Sequence, residues 1–301
     1  MKLHYIIIII LVIIGIVLAG IFFMSNDKIT NTDTKQSLQE RLNEPSYLMS
    51  ATSNDGLTWI KNSAPVAEQA RTPGALFDGT YMRVYFNRKG VPMVALSQDG
   101  NSWEEKTVSV SGLPRGMVVL DQEVVLLPNG KYRMYYYEHP KAKGQPLSIP
   151  GDFTIALAIS DDGINFRREG TAFVYERVMD PDVIKTGAVW RMFVSQDGQT
   201  IMAVSDNDGE TFSFDSYITK SRFISTTIET EDGYRMYYHS KERNTRKIYS
   251  AFSSDGITWK EEGVRITAGE KGSLDEGGPG SPAVLRTNDG TYWIFYTTTV
   301  G

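Results

Sequence analysis

The sequence predicts an all-β fold, a five-bladed β-propeller, on three observations. A polar corner ending in an aromatic residue recurs five times, as SNDGLTW (53–59), SQDGNSW (97–103), SDDGINF (160–166), SDNDGETF (205–212) and SSDGITW (253–259). An aromatic-rich run recurs in step with it, as YMRVYF (81–86), KYRMYYY (131–137), VWRMFV (189–194), YRMYYH (234–239) and YWIFYT (292–297). The two series are out of phase at their ends: the first corner has no aromatic run before it, and the last aromatic run has no corner after it. The N-terminal half-blade is therefore expected to pair with the C-terminal half-blade and close the ring.

In chain order the first element is residues 5–24, YIIIIILVIIGIVLAGIFFM, uncharged and about long enough to span a bilayer. One N-terminal transmembrane helix is thus expected before the propeller. Lys2 and the N-terminal amine set the N-terminus in the cytoplasm and the rest of the chain outside. The expected location is the cell membrane, single-pass, with the propeller extracellular. The alternative is secretion after signal cleavage at Val17-Leu18-Ala19. Residues 25–44 are polar, lack a sustained apolar face and read as a linker, with room for a short helix around 36–43. The division is 1–24 anchor or signal peptide, 25–44 linker and 45–301 propeller. The chain has no cysteine, which excludes disulfides and thiolate metal sites. Its net charge of −5 gives no basic surface for nucleic acid.

Each blade reads as four strands. A short apolar inner strand comes first, GALF (74–77), EVVLL (123–127), DVIK (182–185), TTIE (226–229) or AVLR (283–286). After a turn the aromatic run forms the second strand, since such runs carry strand composition and no helical spacing. The third strand ends in the corner, and the corner aromatic opens the fourth. The Asp-Gly pair suits a tight turn, Gly accepting positive φ and Asp bonding nearby amides. Arg83, Arg133, Arg191 and Arg235 in the aromatic runs are expected to stack on neighbouring rings.

Chemistry is expected where inner strands converge on the central channel. Aligned on their apolar pairs, the strands begin after Thr72, Asp121, Asp180, Ile224 and Ser281, and two residues later stand Gly74, Glu123, Asp182, Thr226 and Ala283. Carboxylates fill both positions in two neighbouring blades only. Strand alternation would put Asp121 and Glu123 on one face, and likewise Asp180 and Asp182. Paired carboxylates at one mouth suit glycoside hydrolysis, one ionised as base or nucleophile and one kept protonated for the leaving oxygen. The alternative is that Asp180-Pro181-Asp182 shapes the strand start by capping amides. Asp180, Asp121 and Glu276 are the candidate catalytic residues, Glu276 as a movable acid on the loop 268–281. Asp182, Glu123, Arg71 and Arg222 are the candidate substrate-binding residues. The loop 138–153 would wall one side of a cleft. His139 and His239 without a third clustered ligand make no metal site. No cofactor is expected, and a central structural cation stays open.

At MDPDVIKTGAVWRMFVS (179–195), DGYRMYY (232–238), SSDGITW and GSPAVLRTNDGTYWIFYTT (280–298) the sequence resembles the five-bladed propeller glycosidases of glycoside hydrolase families 32, 43 and 68. The resemblance covers nearly the whole region after the linker, mostly through blade-building motifs. It implies a hydrolase family 43-like fold, a polysaccharide or oligosaccharide partner, and an Asp base, a second Asp and a Glu acid. Asp180 in the DPD segment matches the family's Asp-Pro start best, while DEGGPGSP matches its Glu-Gly-Pro only loosely. The starts at Thr72 and Ile224 carry no acid. The corners also resemble the Asp-boxes of sialidases, SDNDGETF above all, but a sialidase would show six blades. The expected function is an extracellular glycan-acting glycoside hydrolase. The alternative is a non-catalytic carbohydrate- or protein-binding propeller at the cell surface.

Overall fold

A computed structural model describes residues 45–140, 151–219, 222–240 and 246–299. The expected anchor, the linker and the tip of the 138–153 loop lie outside the described residues. Among the described residues regular structure is strand only. Blade 1 is β4 (Ala70–Phe77), β5 (Met82–Arg88), β6 (Val91–Ser97) and β7 (Glu104–Thr107). Blade 2 is β9 (Met117–Leu126), β10 (Tyr132–Pro140), β11 (Asp152–Ser160) and β12 (Asn165–Glu176), with β8 (Ser109–Ser111) laid parallel along its outer edge. Blade 3 is β13 (Val178–Thr186), β14 (Val189–Gln196), β15 (Gln199–Ser205) and β16 (Ser213–Thr219). Blade 4 is β17 (Arg222–Thr230), β18 (Gly233–Ser240), β19 (Ile248–Ser253) and β20 (Lys260–Ile266).

Blade 5 takes its strands from both ends of this region. β21 (Gly280–Arg286) and β22 (Tyr292–Thr299) come from the C-terminal part, β1 (Ser46–Ser53) and β2 (Ile60–Lys61) from the N-terminal part. A short β3 (Ala67–Glu68) also pairs with β1. The β1–β22 ladder runs without a break from Ser46↔Thr299 to Ser53↔Tyr292, so the ring closes as the half-blades require. Without it β22 would present an open edge.

The corners are built alike. The Ser hydroxyl accepts the Gly N–H at 2.9 Å in Ser53–Gly56 and Ser253–Gly256. One Asp oxygen then accepts two further N–H groups, those of Leu57 and Thr58 for Asp55 and of Ile257 and Thr258 for Asp255. These bonds hold the Asp55 and Asp255 carboxyls down at about 2. In the longer corner the accepting side chain is Asn207, while Asp208 instead takes the Trp190 indole N–H at 2.7 Å.

The corners also tie blade to blade. The corner aromatic of each blade meets edge-on a ring of the preceding one: Trp103 on Phe295, Phe166 on Tyr85, Phe212 on Tyr135, Trp259 on Phe193 and Trp59 on Tyr237. Such a pair contributes about 0.5–1.5 kcal/mol beyond its buried area. The corner carbonyls accept bonds from that preceding blade as well. Tyr85 Oη donates to Gly163 O at 2.9 Å, and Arg83 Nη1 to Asp162 O at 3.0 Å. Tyr135 and Arg133 repeat this on Gly209 and Asp208, and Tyr237 and Arg235 on Gly56 and Asp55. The arginines therefore do more than stack, although Arg83 also lies 4.6 Å over the Tyr132 ring. The buried core follows the same plan. Its clusters lie at the junctions between blades, as where Leu48, Phe295 and Leu285 of blade 5 meet Val84, Phe86 and Ala95 of blade 1.

Candidate functional site at the channel mouth

The inner strands start earlier than their apolar runs, because each carries a bulge at its channel end. The register with the aromatic strand shifts between Arg71 and Gly74, Leu120 and Glu123, Met179 and Asp182, Phe223 and Ser225, and Gly280 and Ala283. At each shift one residue is left-handed: Thr72 (φ 46), Asp121 (φ 52), Asp180 (φ 52), Ile224 (φ 50) and Ser281 (φ 47). For the β-branched Ile224 that is a strained conformation. The repeat thus preserves a backbone device, in which an extra residue is turned out of the ladder and aimed elsewhere. Its N–H needs another acceptor, and at three of the bulges a side chain of the preceding blade supplies it. Asn87 Oδ1 accepts from Asp121 N at 3.1 Å, Ser195 Oγ from Ile224 N at 2.8 Å, and His239 Nδ1 from Ser281 N at 3.0 Å.

The five bulges surround one cavity of about 20 Å³, walled by Thr72, Asp121, Glu123, Asp180, Ile224 and Pro282 among others. That volume takes about one water molecule. Three acidic residues from two adjacent blades, Asp121, Glu123 and Asp180, therefore line the same cavity. The bulge interrupts the strict alternation expected of these strands. Asp121 and Glu123 both still wall the cavity, but Asp182 is not one of its walls. Asp182 is buried and accepts from Thr227 N at 3.0 Å, Thr227 Oγ1 at 2.6 Å and Ser225 Oγ at 3.1 Å, all on blade 4. It serves as the clamp between blades 3 and 4.

Burial raises the carboxyl pKa values here. Desolvation lifts Glu123 well above the usual carboxylate range, and the neighbouring Asp182 adds to it. Asp182 itself is pushed up to about 6 by burial, against the pull of its three hydrogen bonds. Glu123 is thus a carboxyl that burial biases toward its protonated form. Gly74 explains why blade 1 has no acid at the matching place. A Cβ there would stand 2.2 Å from Gln122 O and 3.0 Å from Glu123 Oε2, so the Gln122 backbone carbonyl, with the Glu123 carboxyl behind it, occupies the room a side chain would need.

Of the remaining expected site residues, Arg71 and Glu276 do not wall the cavity. Arg71 is half-buried just before the blade 1 bulge and is not a wall of the cavity. Arg222 begins β17, and its side chain lies outside the described residues. Glu276 is exposed, accepts the Gly272 N–H at 2.7 Å within its own loop, and does not wall the cavity. That loop is pinned by its neighbour Asp275, buried between Lys61 Nζ at 2.6 Å and Tyr296 Oη at 3.1 Å. Sequence reasoning passed over Gln122, which lines the cavity, and the acceptors Asn87 and Ser195. All three are neutral polar residues outside the aligned columns, Asn87 and Ser195 near strand ends and Gln122 between two acids.

No family model matches the chain, and no curated protein matches it. Solved structures do share its fold. A thermostable family-43 glycoside hydrolase aligns with TM-score 0.60 at 15% identity, over 76% of this chain and 88% of its own. The family-43 protein BlXynB from Bacillus licheniformis aligns with TM-score 0.61 at 11% identity, over 83% of this chain and 50% of its own. A family 117 glycoside hydrolase from the marine bacterium Zobellia galactanivorans aligns with TM-score 0.53 at 12% identity, over 76% of this chain and 83% of its own.

Proposed function

We propose that this propeller hydrolyses glycosidic bonds, with the reaction centred on the carboxyl groups at the channel mouth. The observation that carries the reading is the meeting of Asp121, Glu123 and Asp180 at one cavity. Structural neighbours that are glycoside hydrolases support a glycan as substrate. A cavity of about 20 Å³ is too small for a sugar ring, so the sugar lies across the mouth and the cavity holds the attacking water. Asp180 is the ionised group that orients or deprotonates that water. Glu123, whose pKa is raised by burial, supplies a proton toward the leaving oxygen directly or through Asp121.

A second reading is favoured by one observation. The other three bulges carry Thr72, Ile224 and Ser281, none of them acidic, which suits a carbohydrate-binding propeller. A screen of the full-length chain in detergent against aryl-glycosides and polysaccharides separates the two. Release of reducing ends that Asp180→Asn abolishes establishes the hydrolase. Binding without release in every case establishes the binding module.

Residues 5–24 are assigned the role of an uncleaved anchor that holds the propeller outside the cell. Membrane fractionation with protease added from outside tests this. A mature chain in the medium that begins near Gly20 would replace the anchor with a cleaved signal.

A further inference from the structure

We propose that Arg246 determines specificity at the mouth and selects glycans that carry a carboxylate, that is, uronic acid residues; this deepens the hydrolase reading and rests on it. Arg246 lies just before β19 and is exposed. Its backbone packs on Gly278, where a Cβ would meet Arg246 O at 2.8 Å and Arg246 Cβ at 3.1 Å. Its side chain continues to Gly280, where a Cβ would lie 3.8 Å from Arg246 Cδ and 3.7 Å from Nη1. Two glycines thus form a track along which the side chain is laid. Gly280 is the first residue of β21, Ser281 is the left-handed bulge residue, and Pro282 walls the cavity. The Arg246 side chain therefore lies against the start of the strand whose Pro282 walls the cavity.

Among the described residues Arg246 enters no ion pair. Its neighbour His239 lies 3.8 Å from the same Gly280 position, through an Nδ1 already committed to the Ser281 N–H. That ring is buried and neutral, its pKa lowered to about 3 by burial and by the charge of Arg246. A guanidinium fork is shaped for a planar carboxylate and binds it through two parallel bonds.

The layout of charge fixes how a substrate would lie. The carboxyls Asp121, Glu123 and Asp180 belong to blades 2 and 3, whereas Arg246 stands at the junction of blades 4 and 5. A glycan that places its bond over the acids can set a neighbouring carboxylate on Arg246, away from their repulsion. A neutral glycan leaves the guanidinium unused. The chain's net charge of −5 disfavours loose adsorption of polyanions, so retention of one reports this local contact.

The test is affinity electrophoresis of the full-length chain in detergent. The gels contain polygalacturonate, glucuronoxylan or alginate, each beside its carboxyl-reduced counterpart. At least one acidic polymer should retard the wild type, and carboxyl reduction should abolish the effect. Arg246→Gln should weaken that retardation about tenfold to a hundredfold, the loss of one charge-assisted pair. Arg246→Lys should keep part of it, and both variants should melt with the wild type. Equal retardation by acidic and reduced polymers, retardation by none, or a Gln variant that binds like wild type overturns the proposal. Cleavage of a neutral glycan with no gain from carboxylates removes the proposal and leaves the hydrolase reading. Carboxylate-dependent binding with no cleavage of any polymer removes the hydrolase reading and leaves Arg246 as an anion reader.

Discussion

The Tyr237 hydroxyl donates to the carbonyl oxygen of Gly56 at 2.7 Å, joining residues 181 positions apart. One hydrogen bond thereby ties blade 4 to the corner that the N-terminal segment contributes to blade 5. Its phenol is buried, so removing it strands the Gly56 carbonyl. Tyr237→Phe should cost about 1–2 kcal/mol, read as a lowered midpoint in urea with unchanged slope. Gly56→Ala should cost more, since φ is +70° and a Cβ would stand 2.7 Å from the Tyr237 hydroxyl. An alanine variant as stable as wild type would contradict this junction.

Closure by β1 and β22 makes the ring one cooperative unit, because the core lies between blades. Deleting residues 280–301 should therefore unfold all five blades and leave no trimmed four-blade remnant. Circular dichroism and limited proteolysis read the outcome. A truncated chain that melts where the full chain does would sink the closure argument.

Asp180→Asn keeps the shape of the side chain and removes its charge. It should abolish turnover on any substrate the wild type cleaves and leave the melting temperature within a degree or two. Asp255→Ala should do the reverse. It strips the acceptor from Ile257 and Thr258 N–H in an exposed corner, costing roughly 1 kcal/mol while the surviving fold keeps its rate. Full activity in the Asn variant would move the catalytic role away from Asp180.

Asp182 and the corner aspartates should act oppositely on acid stability. Asp182 titrates at about 6 in the fold against 3.8 when unfolded, so the native state binds more protons between those values. Stability from this group is full below pH 3.8 and is lost as pH rises toward 6. Asp55 and Asp255 are lowered from 3.8 to about 2, so their contribution is full above pH 3.8 and is lost as pH falls toward 2. In Asp182→Asn, the fall in stability from pH 4 to 6 should shrink relative to wild type, measured by urea midpoints across that range. An identical pH profile in the variant would show that Asp182 is not held protonated by burial.

Much of the fold was legible because the corner repeats a side-chain pattern. Ser, Asp, Gly and an aromatic each have a separate bond to make, and each appears in the letters. The bulge column was legible only as a column. Thr72, Asp121, Asp180, Ile224 and Ser281 share a backbone conformation but no side chain, and none is the glycine that would announce positive φ. That is why alternation was carried through the bulge and Asp182 was set beside Asp180 at the mouth. Glu123 reads from the sequence as a substrate-binding carboxylate, but its raised pKa depends on burial and on Asp182, which is distant in sequence. Arg246 belongs to no repeat, and its position is fixed by two glycines more than thirty residues further on.

The pairing of β1 with β22 also sets a schedule for biogenesis. Ser53 opposes Tyr292, so the first strand of the propeller to be synthesised must wait for its partner until nearly the whole chain is made. At about 5–20 residues per second, the intervening 240 or so residues take roughly 12–50 s. During that interval Met49 and Ala51, buried in the finished ring against blade 4 and the C-terminal strands, lack their cover. Blades 1 to 4 can stack in order behind the ribosome, but the molecule gains its last junction only when β22 has been made. A ribosome stalled anywhere before residue 292 holds an open arc with two sticky ends, the form most exposed to proteases and to its own neighbours.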